Sequence, residues 1–306
     1  MDEQKVLVVD DLSILIKERF LVKNVSFSLD QGNVLGIVGE DKSGKTSLIK
    51  ALVGSMPISD GKIYIYGQDI QEHPEILNDV GICLDPPIFF KFQSVLENIK
   101  YLCSLTGKYN KQKVFDVLEK FHLKEKANKK VKALSFFERK LMALALAFIN
   151  EPKLLILDEP FKSLPVKSIQ KIGGYIQELR EKGISIIMTA KKYDSLENRC
   201  DLYMFMADRH IVEILPKNDC EKYSNSRTYA FIEVKYPHYC GKLIMQQFGF
   251  KVKLMGKRVL FEADEAKTAD IVKFFTQNKL SVYGAGYINS KSERIFASLT
   301  PYFKEN

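Results

Sequence analysis

The sequence is 306 residues long, 46% hydrophobic and 27% charged, a globular composition with enough apolar material for one large domain or two ordinary ones. No apolar run approaches the roughly 20 residues that a membrane helix needs. The longest candidate, MALALAF, is closely flanked by Arg139, Lys140 and Glu151. The net charge of +8 is uneven, with 15 basic and 9 acidic residues over 217–306 against 31 and 29 over 1–216. A solvated basic face accounts for this. The sharper alternative is attraction to an anionic surface such as a membrane leaflet or nucleic acid, and no aromatic–basic interleaving of a nucleic-acid platform accompanies it.

The start, MDEQKVLVVDD, is acidic and then strand-like, unlike a secretory leader. VLGIVG then reads as a strand and SGKTSLIKALVG as a helix. GKIYIYG follows as a hairpin arm and VGICL as another strand. VLENIKYLCSL, KQKVFDVLEKFHL and SFFERKLMALALAFIN have helical spacing, the last feeding the strand LLILDEP. IQKIGGYIQELREKG, ISIIMTA, DLYMFM and HIVEIL continue the alternation. Buried strands separated by helices imply βαβ units and a largely parallel sheet. PKNDCEKYSNSR interrupts the pattern as a linker would. Beyond it YAFIEV, CGKLIMQQF, KVKLM, RVLFEA, AKTADIVKFFTQN and LSVYGAGYI give the order βαββαβ, with a short last helix over Ser292–Leu299. The expected organisation is an α/β domain over 1–216 and a small α+β domain of ferredoxin-like pattern over 226–306. The five cysteines form no CxxC pair and read as reduced, partly buried thiols in a cytosolic protein.

GEDKSGKT, Gly39 to Thr46, fits G-x-x-x-x-G-K-[ST] between a strand and a helix. Backbone N–H groups of Gly39, Glu40, Asp41, Lys42, Ser43 and Gly44 can cradle phosphate oxygens. Lys45 reaches the terminal phosphates, and the Thr46 hydroxyl can ligate Mg2+. The helix N-terminus, with Ser47 in its first turn, adds positive potential. LLILDEP places Asp158 and Glu159 at the end of an apolar strand. In a parallel sheet both motifs emerge at the carboxyl edge. There Asp158 helps position Mg2+, and Glu159 can orient or deprotonate an attacking water.

Over roughly residues 5–215 the sequence resembles the ATP-binding subunit of an ATP-binding cassette (ABC) transporter. KNVSFSLDQGNVLGIVGEDKSGKTSLIKALVG, SDGKIYIYGQDI and EPKLLILDEP carry the likeness. GICLDPPIFFKFQSVLENIKYL is similar to the bacitracin- and lantibiotic-export type, whose members often end in a small C-terminal domain. The resemblance implies a P-loop NTPase cassette: a parallel sheet core, an antiparallel β subdomain and a helical subdomain. It implies ATP and Mg2+ as cofactors, a separate integral membrane permease and a second cassette in a homo- or heterodimer. It implies no nucleic-acid partner, and a cytoplasmic position, peripheral on the inner face of the cell membrane. The apolar, aromatic region 85–95 would be the docking face.

The resemblance also assigns roles and exposes departures. The family's LSGGQ is LSFFE here: Ser135 remains, and Phe136 and Phe137 replace the glycines that let a backbone N–H approach a γ-phosphate. Asp85 stands at the usual Gln position, where it can still accept a metal or water contact. Pro165 stands where a loop Asp is usual, and Lys42 where glycine is frequent. Lys191 stands at the γ-phosphate histidine, supplying charge but no acceptor. Ile16 occupies the adenine-stacking position, with Phe20 as a substitute. His73, His122, His210 and His238 fall on no motif position. Two functions follow: a slow ATPase driving a membrane partner, or a largely non-hydrolytic cassette with a regulatory or structural role in a heterodimer. No N-K-x-D motif supports a GTPase, and no sustained heptads support a chromosome-organising ATPase.

Overall fold

The structure is a computed structural model; it describes residues 5–105, 109–149, 152–225 and 229–304. The chain divides into two compact units, 1–214 and 215–306.

In the first unit β1 (Lys5–Ile16) and β2 (Arg19–Asp30) form a long antiparallel hairpin. Val9, Leu12 and Ile14 of β1 and Val22, Val25 and Leu29 of β2 are buried; register shifts between Val9 and Leu12 and between Leu12 and Ile14 break the strict period of two, so both parities of β1 reach the core. β3 (Val34–Val38) is buried at every position, the pattern of a central strand covered on both faces. α1 (Lys45–Leu52) follows, then β4 (Asp60–Ile65), the short β5 (Gln68–Asp69) and β6 (Val80–Cys83). β4 pairs antiparallel with β1, which gives a four-stranded sheet of order β2-β1-β4-β5.

α2 (Val95–Leu105), α3 (Lys111–Lys120) and α4 (Phe136–Phe148) are the helices predicted from spacing. β7 (Leu154–Leu157), α5 (Val166–Glu181), β8 (Ser185–Ala190), β9 (Leu202–Ala207) and β10 (His210–Pro216) complete the unit. The second sheet has order β10-β9-β3-β8-β7-β6, with β3 parallel to β8 and β9, and β7 parallel to β6 and β8. β8 therefore lies between β3 and β7. Its register, Val38↔Ala190 and Leu157↔Met188, brings the carboxyl ends of all three strands to one edge. One hydrophobic cluster runs from Leu12 and Val25 of the antiparallel sheet to Ile37, Ile156 and Ile187 of the parallel one.

The first helix of the second unit, α6 (Lys217–Ser224), forms where composition suggests a linker. Pro216, with φ fixed near −66°, precedes it, and its buried residues Cys220 and Ser224 are four apart and share one face. That face packs against α9, so a polar segment with few apolar residues still has a tertiary partner. The remainder of the expected linker, 226–228, lies outside the described residues. β11 (Ala230–Val234), α7 (Pro237–Phe248), β12 (Val252–Met255), β13 (Arg258–Phe261), α8 (Glu265–Gln277), β14 (Val282–Tyr287) and α9 (Lys291–Leu299) follow. The sheet order is β12-β13-β11-β14, antiparallel throughout. Ile232, Val234, Ile244, Val259, Phe261, Ile271 and Phe275 make its main core. Tyr229, Leu260, Ile288 and Ala297 form a smaller cluster that includes α9. Lys253 is buried and caps α9, its Nζ donating to the carbonyls of Ala297 (2.8 Å) and Ser298 (3.1 Å). Among the described residues no helix is long and apolar enough to cross a membrane.

Candidate nucleotide site

The loop from Gly39 to Gly44 joins β3 to α1 and is tied to β8 by a hydrogen bond from Gly39 N–H to the Ala190 carbonyl (3.2 Å). φ is positive at Lys42 (68°) and at Gly44 (107°). This alternation turns successive amide N–H groups toward a common concavity. Gly44 is required twice over. Its φ suits glycine alone, and a Cβ there would lie 2.8 Å from the Leu21 carbonyl of β2. Lys42 accepts a left-handed conformation with its side chain exposed, at the cost that an L-residue carries there.

Lys45 is 5% exposed although it is a lysine. Its ammonium donates to the carbonyls of Gly39 and Glu40 and to Ser43 Oγ. Burial pulls its pKa below the ordinary lysine value, and the carboxylates of Glu159, Asp41, Asp158 and Glu40 oppose that fall. The phosphate loop and the carboxylates after β7 thus share one electrostatic environment. Thr46 is exposed at the helix start and Ser47 half-buried.

Asp158 is buried, with its backbone N–H on the Cys83 carbonyl (2.8 Å) and its Oδ1 accepting from Thr189 Oγ1 (2.6 Å). Desolvation raises its pKa; the Thr189 hydrogen bond opposes that rise, while Glu159 and Asp85 add to it. The Thr189 hydroxyl also accepts the backbone N–H of Glu159 (2.9 Å). Glu159 sits at φ 45°, a left-handed conformation that costs a non-glycine residue energy and collects at functional sites. Its carboxylate lies 3.5 Å from Lys162 Nζ, and its carbonyl accepts from Lys140 Nζ at 2.6 Å.

Asp85 is held in a double ion pair. Its two oxygens face two ammonium groups, Lys140 at 3.1 Å and Lys162 at 3.2 Å. A carboxylate so engaged meets a metal or water only by giving up one of these two ion pairs. Lys191 is also engaged: Nζ lies 2.9 Å from Asp41 Oδ2 and 3.2 Å from Glu40 Oε2. The lysine at the end of β8 thereby reaches the phosphate loop itself. Its hydrogen bond holds the Asp41 carboxyl below the usual range. Asp41, Glu159, Phe161, Thr189, Lys191 and Ser195 line a cleft of about 400 Å³ at this edge of the sheet.

Ser135 caps α4. Its Oγ accepts the Glu138 N–H (3.2 Å), and the Glu138 carboxylate accepts the Ser135 N–H (2.7 Å), a reciprocal capping box. Phe136 stays 39% exposed and Phe137 is half-buried. Ile16 and Phe20 are both exposed at the β1–β2 turn. Lys23 lies 5.4 Å over the Phe20 ring, and Leu21, the next residue after Phe20, backs on to Gly44. In the loop after β6, Ile88 and Phe92 are 89% and 75% exposed. The buried Asn98 amide fixes that loop through the Phe90 N–H and the Phe90 and Ser94 carbonyls.

Sequence reasoning missed Thr189, Lys140 and Lys162. Lys140 left a signal, since it shares the helical stripe of Phe136, Leu144 and Phe148, where an apolar side chain is expected. Thr189, inside an apolar strand, left none. Among the described residues no group of three or more His, Cys, Asp or Glu side chains could hold a metal on its own.

Residues 22–162 match the family model described as ABC transporter. An uncharacterised ABC transporter ATP-binding protein of Bacillus subtilis, YhcH, is 26% identical over 98% of this chain and 97% of its own length. The bacitracin transport ATP-binding protein BcrA of Enterococcus faecalis is 25% identical over 79% of each chain. Among solved structures, an ATP-binding cassette of an ABC transporter in its ADP conformation is 25% identical and superposes with a TM-score of 0.63. It covers 72% of this chain and 94% of that one.

Proposed function

This chain carries an ABC transporter ATP-binding domain, and from that premise we propose that it binds Mg-ATP on its phosphate loop and hydrolyses it slowly to drive a separate membrane permease. The observation that carries the reading is the buried Lys45 ammonium in the Gly39–Gly44 loop, within the field of Asp158 and Glu159.

Backbone N–H groups of residues 39–44 hold the phosphates, and Lys45 exchanges carbonyl partners for terminal phosphate oxygens. The base packs on the apolar surface of Phe20 and Ile16. Asp158 and Thr46 offer oxygen ligands that suit Mg2+, a hard cation that keeps waters and shares phosphate oxygens. Bound Mg2+ supplies charge neutralisation on the phosphates. Glu159 orients or deprotonates water, held by Thr189 on its N–H and Lys140 on its carbonyl. Lys191 brings positive charge to the γ-phosphate once released from Glu40 and Asp41. Ser135 is the remaining contact that this chain offers to a partner cassette's nucleotide.

Two copies of this chain would share the Phe136–Phe137 defect in both sites. A heterodimer with a fuller cassette leaves the site of Lys45 and Glu159 with a good trans contact, and this is the assembly we favour. The exposed Ile88, Phe90 and Phe92 support the loop after β6 as the permease-docking face, with the chain on the cytoplasmic side of the membrane. The likeness to BcrA supports export of a peptide, antibiotic or lipid-like substrate. The boundaries 1–216 and 226–306 are proposed domain limits, and the strand order of the second unit supports a ferredoxin-like accessory domain.

The test is ATP calorimetry and ATPase assay on the purified chain, alone and with its membrane partner. Lys45→Ala is expected to lose ATP affinity, and Glu159→Gln to keep affinity while losing about 10²–10³ in turnover. A folded wild-type chain without ATP affinity in either setting sinks the reading. Phe136, Phe137 and the Lys191 ion pairs favour the second reading, a non-hydrolytic regulatory cassette. That reading predicts ATP binding with turnover unchanged by Glu159→Gln.

A further inference from the structure

Three exposed lysines of the second unit meet at one end of its sheet. β11 ends at Val234, whose N–H bonds the Lys257 carbonyl (3.0 Å), and its Cα partner in β14 is Val282. Three connections therefore meet there: Lys235–Tyr239 into α7, the β12–β13 turn at Gly256–Lys257, and Asn278–Ser281 into β14. Lys235, Lys257 and Lys279 are exposed in them, and among the described residues none is in an ion pair. Arg258 is also present but is paired with Glu233 and Glu293. No acidic residue occurs in 235–239, 256–258 or 278–283. The opposite end, where β13 runs into α8, mixes Glu262, Asp264 and Glu265 with Lys251 and Lys267.

Exposed aromatic rings accompany the lysines. Tyr236, Tyr239 and Tyr283 are 57%, 54% and 58% exposed. Lys235 lies 5.1 Å over the Tyr236 ring, and the Tyr236 and Tyr283 hydroxyls both hold its pKa up. Tyrosine, with an apolar ring and a polar tip, favours the headgroup layer of a bilayer. Lysine is a point charge suited to diffuse anionic lipid charge. Bases stack on aromatic platforms inside a charged groove, whereas here Tyr236 and Tyr239 share the connection into α7 and Tyr283 lies apart from them at the start of β14.

We propose that this end of the C-terminal unit is a docking surface for anionic phospholipid headgroups. The tyrosines enter the headgroup layer, and the three lysines meet its charge. This goes beyond the nucleotide-site reading and stands apart from it.

The full chain is mixed with vesicles of phosphatidylcholine alone or with phosphatidylglycerol, and sedimented. Binding is expected only to the anionic vesicles and should weaken as salt rises. The triple variant Lys235→Gln, Lys257→Gln, Lys279→Gln should bind about 100-fold more weakly, near fivefold per lysine. Tyr236→Ser with Tyr283→Ser should weaken binding in moderate salt. ATP affinity, measured on the same samples, should not move in any variant, since these residues lie in the other unit. Unchanged vesicle binding by the triple variant, equal binding to neutral vesicles, or tighter retention on duplex DNA than on anionic vesicles overturns the proposal. Normal ATP binding in that event leaves the nucleotide site standing.

Discussion

Lys140→Met tests whether the buried lysine of α4 holds the hydrolytic carboxylate in place. Lys140 is 3% exposed; its Nζ donates to the Glu159 carbonyl at 2.6 Å and faces Asp85 at 3.1 Å. Breaking a buried pair from one side costs about 3–5 kcal/mol. Asp85 keeps a second partner in Lys162, which is half exposed, and methionine retains most of the stem volume. The expected loss is therefore near the lower end, about 3 kcal/mol of stability in the first unit. Glu159 at φ 45° loses its carbonyl support. A displacement of about 1 Å can cost on the order of 10² in rate, so kcat should fall by about 10–100-fold. ATP affinity should stay within about twofold, because the phosphate loop keeps its own contacts. Urea unfolding, ATP calorimetry and steady-state ATPase assays with the membrane partner separate the three quantities. A Lys140→Met protein with wild-type kcat and an unchanged urea midpoint refutes the positioning argument.

Other outcomes follow from the same geometry. Thr189→Val removes the donor to Asp158 and the acceptor of the Glu159 N–H, so stability should fall by about 1–3 kcal/mol and turnover with it, read by urea unfolding and ATPase assay. Lys191→Ala should let the Asp41 carboxyl titrate closer to its ordinary range. Because the folded-state value is lowered, this pair stabilises the fold above the ordinary Asp range and loses that contribution as pH falls through the lowered value. A carbon-detected NMR titration of Asp41 in both proteins checks the direction. Ile88→Ser with Phe92→Ser should reduce recovery with the permease while ATP affinity holds, since both side chains are largely exposed. Phe136→Gly with Phe137→Gly should raise turnover in a complex limited by this chain's trans contact, and should weaken the first turn of α4 by about 1 kcal/mol per glycine.

The phosphate loop was legible because three requirements coincide in one short stretch: a buried strand, glycine at a crowded positive-φ turn, and a lysine opening a helix. The LLILDEP carboxylates were legible for a similar reason, since an apolar strand that ends in two acids declares its exposed edge. The ion pairs of Asp85 were not legible, because they depend on Lys140 and Lys162, which are 55 and 77 positions away. Local pattern cannot report which cations fold back on a carboxylate. α6 was hidden because its buried face consists of a cysteine and a serine, and only α9 makes that face worth burying. Thr189 was invisible because a β-branched residue belongs in a buried strand whether or not its hydroxyl has work to do.

A threonine hydroxyl owns a single hydrogen. At Thr189 it goes to Asp158, while the oxygen receives the N–H of the adjoining residue. The two neighbouring acids are thereby oriented by one atom of a rigid strand, one through its side chain and the other through its main chain. Neither can swing without disturbing the other, so a ligand that draws Asp158 toward itself also re-aims Glu159.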